Sequence, residues 1–207
     1  MIKYRLYPTL IQTFSLFHHE ARNANGELYV SEQELLNRIN RVPQPPTPAQ
    51  QRGVSFETAL ISGRGEEQFP ADIIQTMRKQ LPMRYKTQFF VRTAIKDVEF
   101  YGMVDVVGGD RAIDIKTTAR YQAPKFAHHF QNLYLFGLKS WNIKQLDYLI
   151  TDFQNVYTES YHYDSYDFQP LLDELELFTE FLEQHRKQIT DKKIFNNAQN
   201  GLQTSLF

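Results

Sequence analysis

Two runs rich in β-branched and aromatic residues, Tyr85 to Ile95 and Val98 to Val107, precede Gly108-Gly109-Asp110, and a third run follows from Arg111 to Thr117. Glycines and an aspartate between such runs signal a β-hairpin. With Gly109 and Asp110 as the two central turn residues, Gly108 faces Arg111. The pairing then runs through Val107–Ala112 and Val106–Ile113 to Asp105 opposite Asp114. Directly opposed residues share one sheet face about 5 Å apart at Cβ, so two carboxylates are expected side by side. Alternation puts Lys116 on the same face and buries Ile113 and Ile115 on the other. A three-residue loop would set Asp105 against Ile113 instead.

Like charges directly across a sheet repel, and without compensation one carboxyl is pushed towards its neutral form. Something positive is therefore expected between Asp105 and Asp114. Paired carboxylate oxygens suit Mg²⁺ or Mn²⁺, whose sites leave positions for water and for substrate phosphate. Lys116 would then orient a water or stabilise charge growing on phosphate oxygens. The other reading of the same residues is a surface strand with an Asp114–Lys116 salt bridge and a solvated Asp105.

The hairpin sits in an alternation of helices and strands. Leu10, Phe14 and Phe17 suggest a helix over 8–22, and Ser31 with Glu34 three residues later is a capping box opening a second. Val42 to Pro48 reads as a stiff extended connector. Thr47-Pro48 then starts a helix that ends at Gly63, with an unexplained Gly53 inside it. Further helices are predicted over Pro70–Gln80, from Pro124 through Phe136, and over Phe168–Lys187. Two more strands are predicted near Gln145–Asp152 and Val156–Tyr163. The order indicates an α/β fold with a central mixed β-sheet flanked by helices. The expected organisation is an N-terminal helical segment and connector (1–48), a core (49–187) and a flexible tail (188–207).

The 207 residues contain no cysteine, which excludes disulfides, zinc–thiolate sites and iron–sulfur clusters. The first ten residues lack the apolar core of a signal peptide, and no apolar run approaches the ~20 residues that span a bilayer. The expectation is a cytoplasmic protein with no membrane partner. A net charge of -1 neither announces nor forbids nucleic acid, because a local basic groove can be offset elsewhere.

Gly102-Met103-Val104-Asp105, a short spacer, and then Asp114-Ile115-Lys116 with Thr117 resemble the core of the PD-(D/E)XK nuclease superfamily, in its RecB-like and lambda-exonuclease-like branch. The stretch Arg52 to Glu57 resembles that family's helix motif, and Gly53 would let the helix approach the sheet closely. Gln131 and Tyr134 resemble its QxxxY motif, with Tyr134 three residues after Gln131 where the family usually has four. The resemblance implies a restriction-endonuclease-like core, with Glu57, Asp105, Asp114 and the carbonyl of Ile115 as metal ligands. It further implies Lys116 as catalytic lysine, and Gln131, Tyr134, Arg52 and Thr117 as substrate-binding. The activity implied is Mg²⁺- or Mn²⁺-dependent hydrolysis of DNA phosphodiester bonds, as in exonucleases of phage or prophage recombination or repair. The other function carried is a catalytically weak DNA-binding or clamp-docking protein on the same fold. The partners implied are DNA and a recombination partner protein. At the end of the chain, Gln203, Leu206 and Phe207 resemble the bacterial sliding-clamp-binding peptide, which implies the clamp as a third partner.

Overall fold

The computed structural model describes residues 1–196, so Gln203, Leu206 and Phe207 lie outside the described residues. Six strands form one mixed sheet: β1 (Tyr4–Leu6), β2 (Lys86–Ile95), β3 (Val98–Gly108), β4 (Arg111–Thr117), β5 (Gln145–Thr151) and β6 (Val156–His162). Their order is β1-β3-β4-β5-β6, with β2 also paired to β3. The β1–β3 and β4–β5 pairs are parallel, and the β3–β4 and β5–β6 pairs antiparallel. The expected mixed α/β sheet with flanking helices is what the chain forms. The helices are α1 (Pro8–His18), α2 (Glu32–Ile39), α3 (Pro48–Ser62), α4 (Ala71–Arg78), α5 (Tyr134–Leu138) and α6 (Gln169–Gln184). Among the described residues no helix is long and apolar enough to cross a membrane.

The chain divides into two compact units. The first comprises, among the described residues, 1–42, 92–102 and 168–196. Its core is built by Leu10, Ile11 and Phe14 of α1, Leu35 and Ile39 of α2, and Leu175, Phe178 and Leu182 of α6, all buried. Phe14 stacks on Phe178 with ring centroids 4.6 Å apart. Ser31 accepts the Glu34 N–H and the Glu34 side chain accepts the Ser31 N–H, so the capping box is formed as the spacing predicts. The three-residue strand β1 escapes sequence reading because it is too short for alternation to register. Residues beyond Lys187, expected to be loose, are tied down as far as Asn196. Ile194 is fully buried, its carbonyl accepts the Arg5 N–H at 2.9 Å, and Phe195 bridges Tyr4.

The second unit, residues 43–91 and 103–167, contains the hairpin. Helix α3 starts at Thr47, whose hydroxyl accepts the Gln50 N–H, and stops at Gly63 in the left-handed conformation. Its buried face (Phe56, Ala59, Leu60) packs with Ile73, Ile74 and Met77 of α4 against Val106, Ile113, Ile115 and Leu149 of the sheet. Ile113 and Ile115 thus face the core. A Cβ on Gly53 would stand 3.3 Å from Thr117 Oγ1, so the helix lies close to β4 at that point, as the glycine suggested.

The hairpin register is the one derived from a two-residue turn: Gly108↔Arg111, Val107↔Ala112 and Val106↔Ile113. Gly109 has φ +65° and Asp110 is not among the positive-φ residues, the pattern of a turn with glycine in its first central position. Gly108 is required for a different reason. A Cβ there would meet the Arg84 carbonyl oxygen at 2.5 Å, Pro82 Cβ at 2.9 Å and Tyr85 Cβ at 3.0 Å, because the 82–85 segment crosses directly over the hairpin. Backbone cannot yield as a flexible side chain would. Gly108→Ala should therefore lower stability in urea denaturation by about 1–3 kcal/mol, the usual cost of overpacking. Gly109→Asn, with nothing within 4 Å of the new Cβ and a residue that tolerates positive φ, should stay within about 0.5 kcal/mol of the parent.

Candidate active site

The ladder between β3 and β4 stops at Val106↔Ile113, one pair short of the two aspartates. Beyond it the Asp105 side chain takes over from the backbone. The Ile115 N–H donates to Asp105 Oδ2 at 2.8 Å. Asp105 and Asp114 are thus brought together where the strands part, and Asp114 is 1% exposed.

Gln131 Nε2 donates to Asp114 Oδ1 at 2.5 Å, and the Lys116 ammonium pairs with Asp114 Oδ2. Asp114 Oδ2, shut off from solvent, has the Lys116 ammonium against it, and Gln131 Oε1 is shut off from solvent with no hydrogen-bond partner among the described residues. Glu57 projects from α3, half-buried, and Gln88 Nε2 donates to Glu57 Oε1 at 2.7 Å and, more weakly, to Asp105 Oδ1 at 3.4 Å. Burial and the neighbouring Asp114 and Glu57 charges push the Asp105 carboxyl up to about 8. Glu57 is raised as well, by burial and then by Asp114. The solvated Asp105 of the alternative reading is not what forms, although its Asp114–Lys116 pair is.

Gln88 was not singled out in the sequence, and its backbone is unusual. It has φ +49° inside β2, a conformation that costs a non-glycine residue on the order of 1–2 kcal/mol. That twist aims its amide between two carboxylates. No residue type advertises such a conformation when glutamine is read as an ordinary strand residue.

Gln131 and Tyr134 reach the site on a 3₁₀ turn, Phe130–Leu133, that leads directly into α5. With three residues per turn, side chains at i and i+3 eclipse. The three-residue spacing therefore sets the two on one face, as a four-residue spacing would on an α-helix. Tyr134 is buried, with a backbone hydrogen bond to Met103 and the Asp114 and Asp105 charges nearby, and its hydroxyl is held well above its ordinary range chiefly by burial. The predicted helix from Pro124 begins later, because the N–H groups of Lys125 and Phe126 donate to Glu159 at 2.7 and 2.9 Å. Tyr121 and Tyr161 hydroxyls donate to the same carboxylate. Buried Asn132 then ties the loop down, donating to the Phe126 carbonyl at 3.0 Å and accepting from the Tyr148 hydroxyl at 2.7 Å. His129 is kept neutral, pushed down to about 3 by burial and the Lys116 charge.

Arg52 and Thr117 are not part of the carboxylate cluster. They line a separate hollow of about 520 Å³ with Pro48, Ala49 and Asp152, where the Arg52 guanidinium lies 3.8 Å from the Phe153 ring centroid. Ile115 contributes its N–H to Asp105; no contact of its carbonyl with the other site groups is seen among the described residues.

The donor set is made of hard oxygens, the kind Mg²⁺ and Mn²⁺ take, and the shielded Asp114 Oδ2 already meets one cation, the Lys116 ammonium. As the side chains stand, however, no three acidic or histidine groups among the described residues are disposed to hold one ion together. The Gln88 amide and the Lys116 ammonium occupy the positions of positive charge instead.

No family model and no curated protein matches the sequence. Among solved structures, the fold is similar to that of a protein from Eubacterium rectale described as "Putative exonuclease", with TM-score 0.50 and 8% identity over 92% of this chain and 83% of that one. A second structure, SSO0001, matches with TM-score 0.45 and 12% identity over 94% of this chain and 89% of that one. The first likeness extends to the fold, a mixed sheet with flanking helices.

The crowding of carboxylates has a consequence for stability. Because the folded chain keeps a proton on Asp105 up to about 8 and the unfolded chain releases it near 3.8, this contribution is complete below the lower value and is lost as pH rises through the upper one. In EDTA, Asp105→Asn should melt above the parent at about pH 9 by at least roughly 2–8 °C, a gain on the order of 1–2 kcal/mol or more, and the gap should narrow steadily as pH falls towards about 4. Calorimetry across that range checks the sign.

Proposed function

We propose that this chain is a metal-dependent nuclease that hydrolyses DNA phosphodiester bonds, an exonuclease of the type that serves phage or prophage recombination or repair. The observation that carries the reading is the pairing of Asp105 with Asp114 where the β3–β4 ladder opens, with Lys116 against one of them and Glu57 beside both. The nuclease-like fold supports it without specifying it. Asp105 and Asp114 would hold Mg²⁺ or Mn²⁺, joined by Glu57 once the Gln88 amide releases it. A bound divalent cation supplies a water acidic enough to attack phosphorus and neutralises charge on the phosphate. Lys116, a cation that cannot leave the site, would stabilise negative charge gathering on the phosphate oxygens. Gln131 fixes the Asp114 carboxylate through one oxygen and leaves the other facing Lys116. Arg52 and Thr117 line a hollow near the end of β4 that would take a phosphate of the DNA backbone.

A second reading, a catalytically weak DNA-binding protein on the same fold, is favoured by the Gln88 amide between Glu57 and Asp105. One assay separates the two. End-labelled linear duplex and closed circular DNA are incubated with Mg²⁺, Mn²⁺ or EDTA. The expected result is metal-dependent loss of linear DNA, reduced at least about a hundredfold by Asp114→Ala and by Lys116→Ala. Intact DNA under every metal condition, with binding retained, would transfer the assignment to the second reading.

Gln88 offers an independent check. Its amide relieves the metal-free site, so Gln88→Ala should lower the melting temperature in EDTA yet tighten Mn²⁺ binding several-fold in calorimetric titration. Weaker Mn²⁺ binding in that variant would make Gln88 a support of the metal-bound site instead.

A further inference from the structure

On the face of β3 that carries Asp105, the alternate residue Val107 lines a shallow groove of about 410 Å³. Strand geometry sets the two residues roughly 7 Å apart. The groove runs beside the hairpin turn, and its remaining walls include Arg84, Lys86, Phe89, Trp141 and Gly109. Trp141 is 65% exposed and meets Phe89 edge to face, with centroids 5.5 Å apart and planes at 87°. A tryptophan ring is among the strongest apolar anchors a surface can offer, and here it sits beside a second aromatic ring. The charges around it have one sign. No acidic side chain lines the groove, and neither Arg84 nor Lys86 has a carboxylate partner among the described residues. The groove is also built rather than incidental: the absent Cβ of Gly108 is what allows the 82–85 segment, which carries Arg84, to lie against the hairpin.

We infer that this groove binds single-stranded DNA, stacking an unpaired base on the exposed Trp141 ring with Phe89 against its edge and meeting the backbone phosphates with Arg84 and Lys86. Aromatic faces beside unpaired cations suit a strand whose bases are exposed, whereas a duplex hides its base faces and offers only phosphates. A protein partner would have to supply acidic groups as well as an apolar surface. The inference rests on the nuclease reading for the identity of the ligand, and it adds that a separated strand passes along the face that bears the paired aspartates.

Trp141 is the single tryptophan of the chain, so its emission reports on this groove alone. In EDTA, where no cleavage is expected, a short oligothymidylate should quench Trp141 saturably, and a blunt duplex of the same length should do so at least about tenfold more weakly. The double variant Arg84→Glu, Lys86→Glu and, separately, Phe89→Ala should each weaken binding about tenfold, with circular dichroism unchanged. Four results would overturn the inference: no binding of the oligonucleotide, binding seen by anisotropy with Trp141 emission unmoved, duplex quenching equal to single-strand quenching, or undiminished affinity in the charge-reversed variant. A blue shift that depends on protein concentration alone would also overturn it, by showing a second copy of the chain over the groove. Asp114→Asn separates this claim from the one it rests on, because that variant should keep the quench and lose cleavage. Quenching in a parent that never cleaves would sink the nuclease reading and leave the groove standing; cleavage without quenching would do the reverse.

Discussion

Two carboxylates on neighbouring strands cannot share a continuous ladder without a cost, and the second unit is arranged around that repulsion. The backbone pairing ends at Val106 and Ile113, and the Asp105 carboxylate itself accepts the Ile115 N–H that the ladder would have satisfied. The side chain is thereby part of the sheet's hydrogen bonding. Everything else near it, from the Gln131 amide to the Lys116 ammonium and the Gln88 amide, supplies positive or donor character to a region with too many acceptors.

The hairpin register was legible because a two-residue turn and strict alternation leave a single consistent pairing, and Gly108 to Asp110 supplied the turn. The face assignment followed from the same period: Ile113 and Ile115 join the apolar core under α3, and Asp114 and Lys116 pair with each other outside it. Helix α3 was legible from its ends, where Thr47 caps the start and Gly63 the stop. These features are local, so local sequence reports them.

What escaped reading depends on contacts far along the chain. Gln88 takes a left-handed conformation because Glu57 and Asp105 are there to receive its amide, and neither lies near it in sequence. The late start of the helix around Phe130 follows from Glu159, which takes the N–H groups that an earlier helix would have used. The same substitution of a 3₁₀ turn for an α-helical one reconciles the Gln131–Tyr134 spacing with a shared face. A pattern that fixes the number of intervening residues describes the helix type as much as the chemistry, and it passes over chains that reach the same disposition by a tighter turn.

The anchoring of that turn by Glu159 also sets an order of events during synthesis. Asp105 and Asp114 leave the ribosome well before Glu159 and Tyr166, yet the loop that presents Gln131 is fastened only when those later residues are in place. A nascent chain that has made the hairpin but not β6 holds its acidic pair without the amide that steadies it. The cluster is therefore completed by contacts from the far end of the second unit and not by the segment that encodes it.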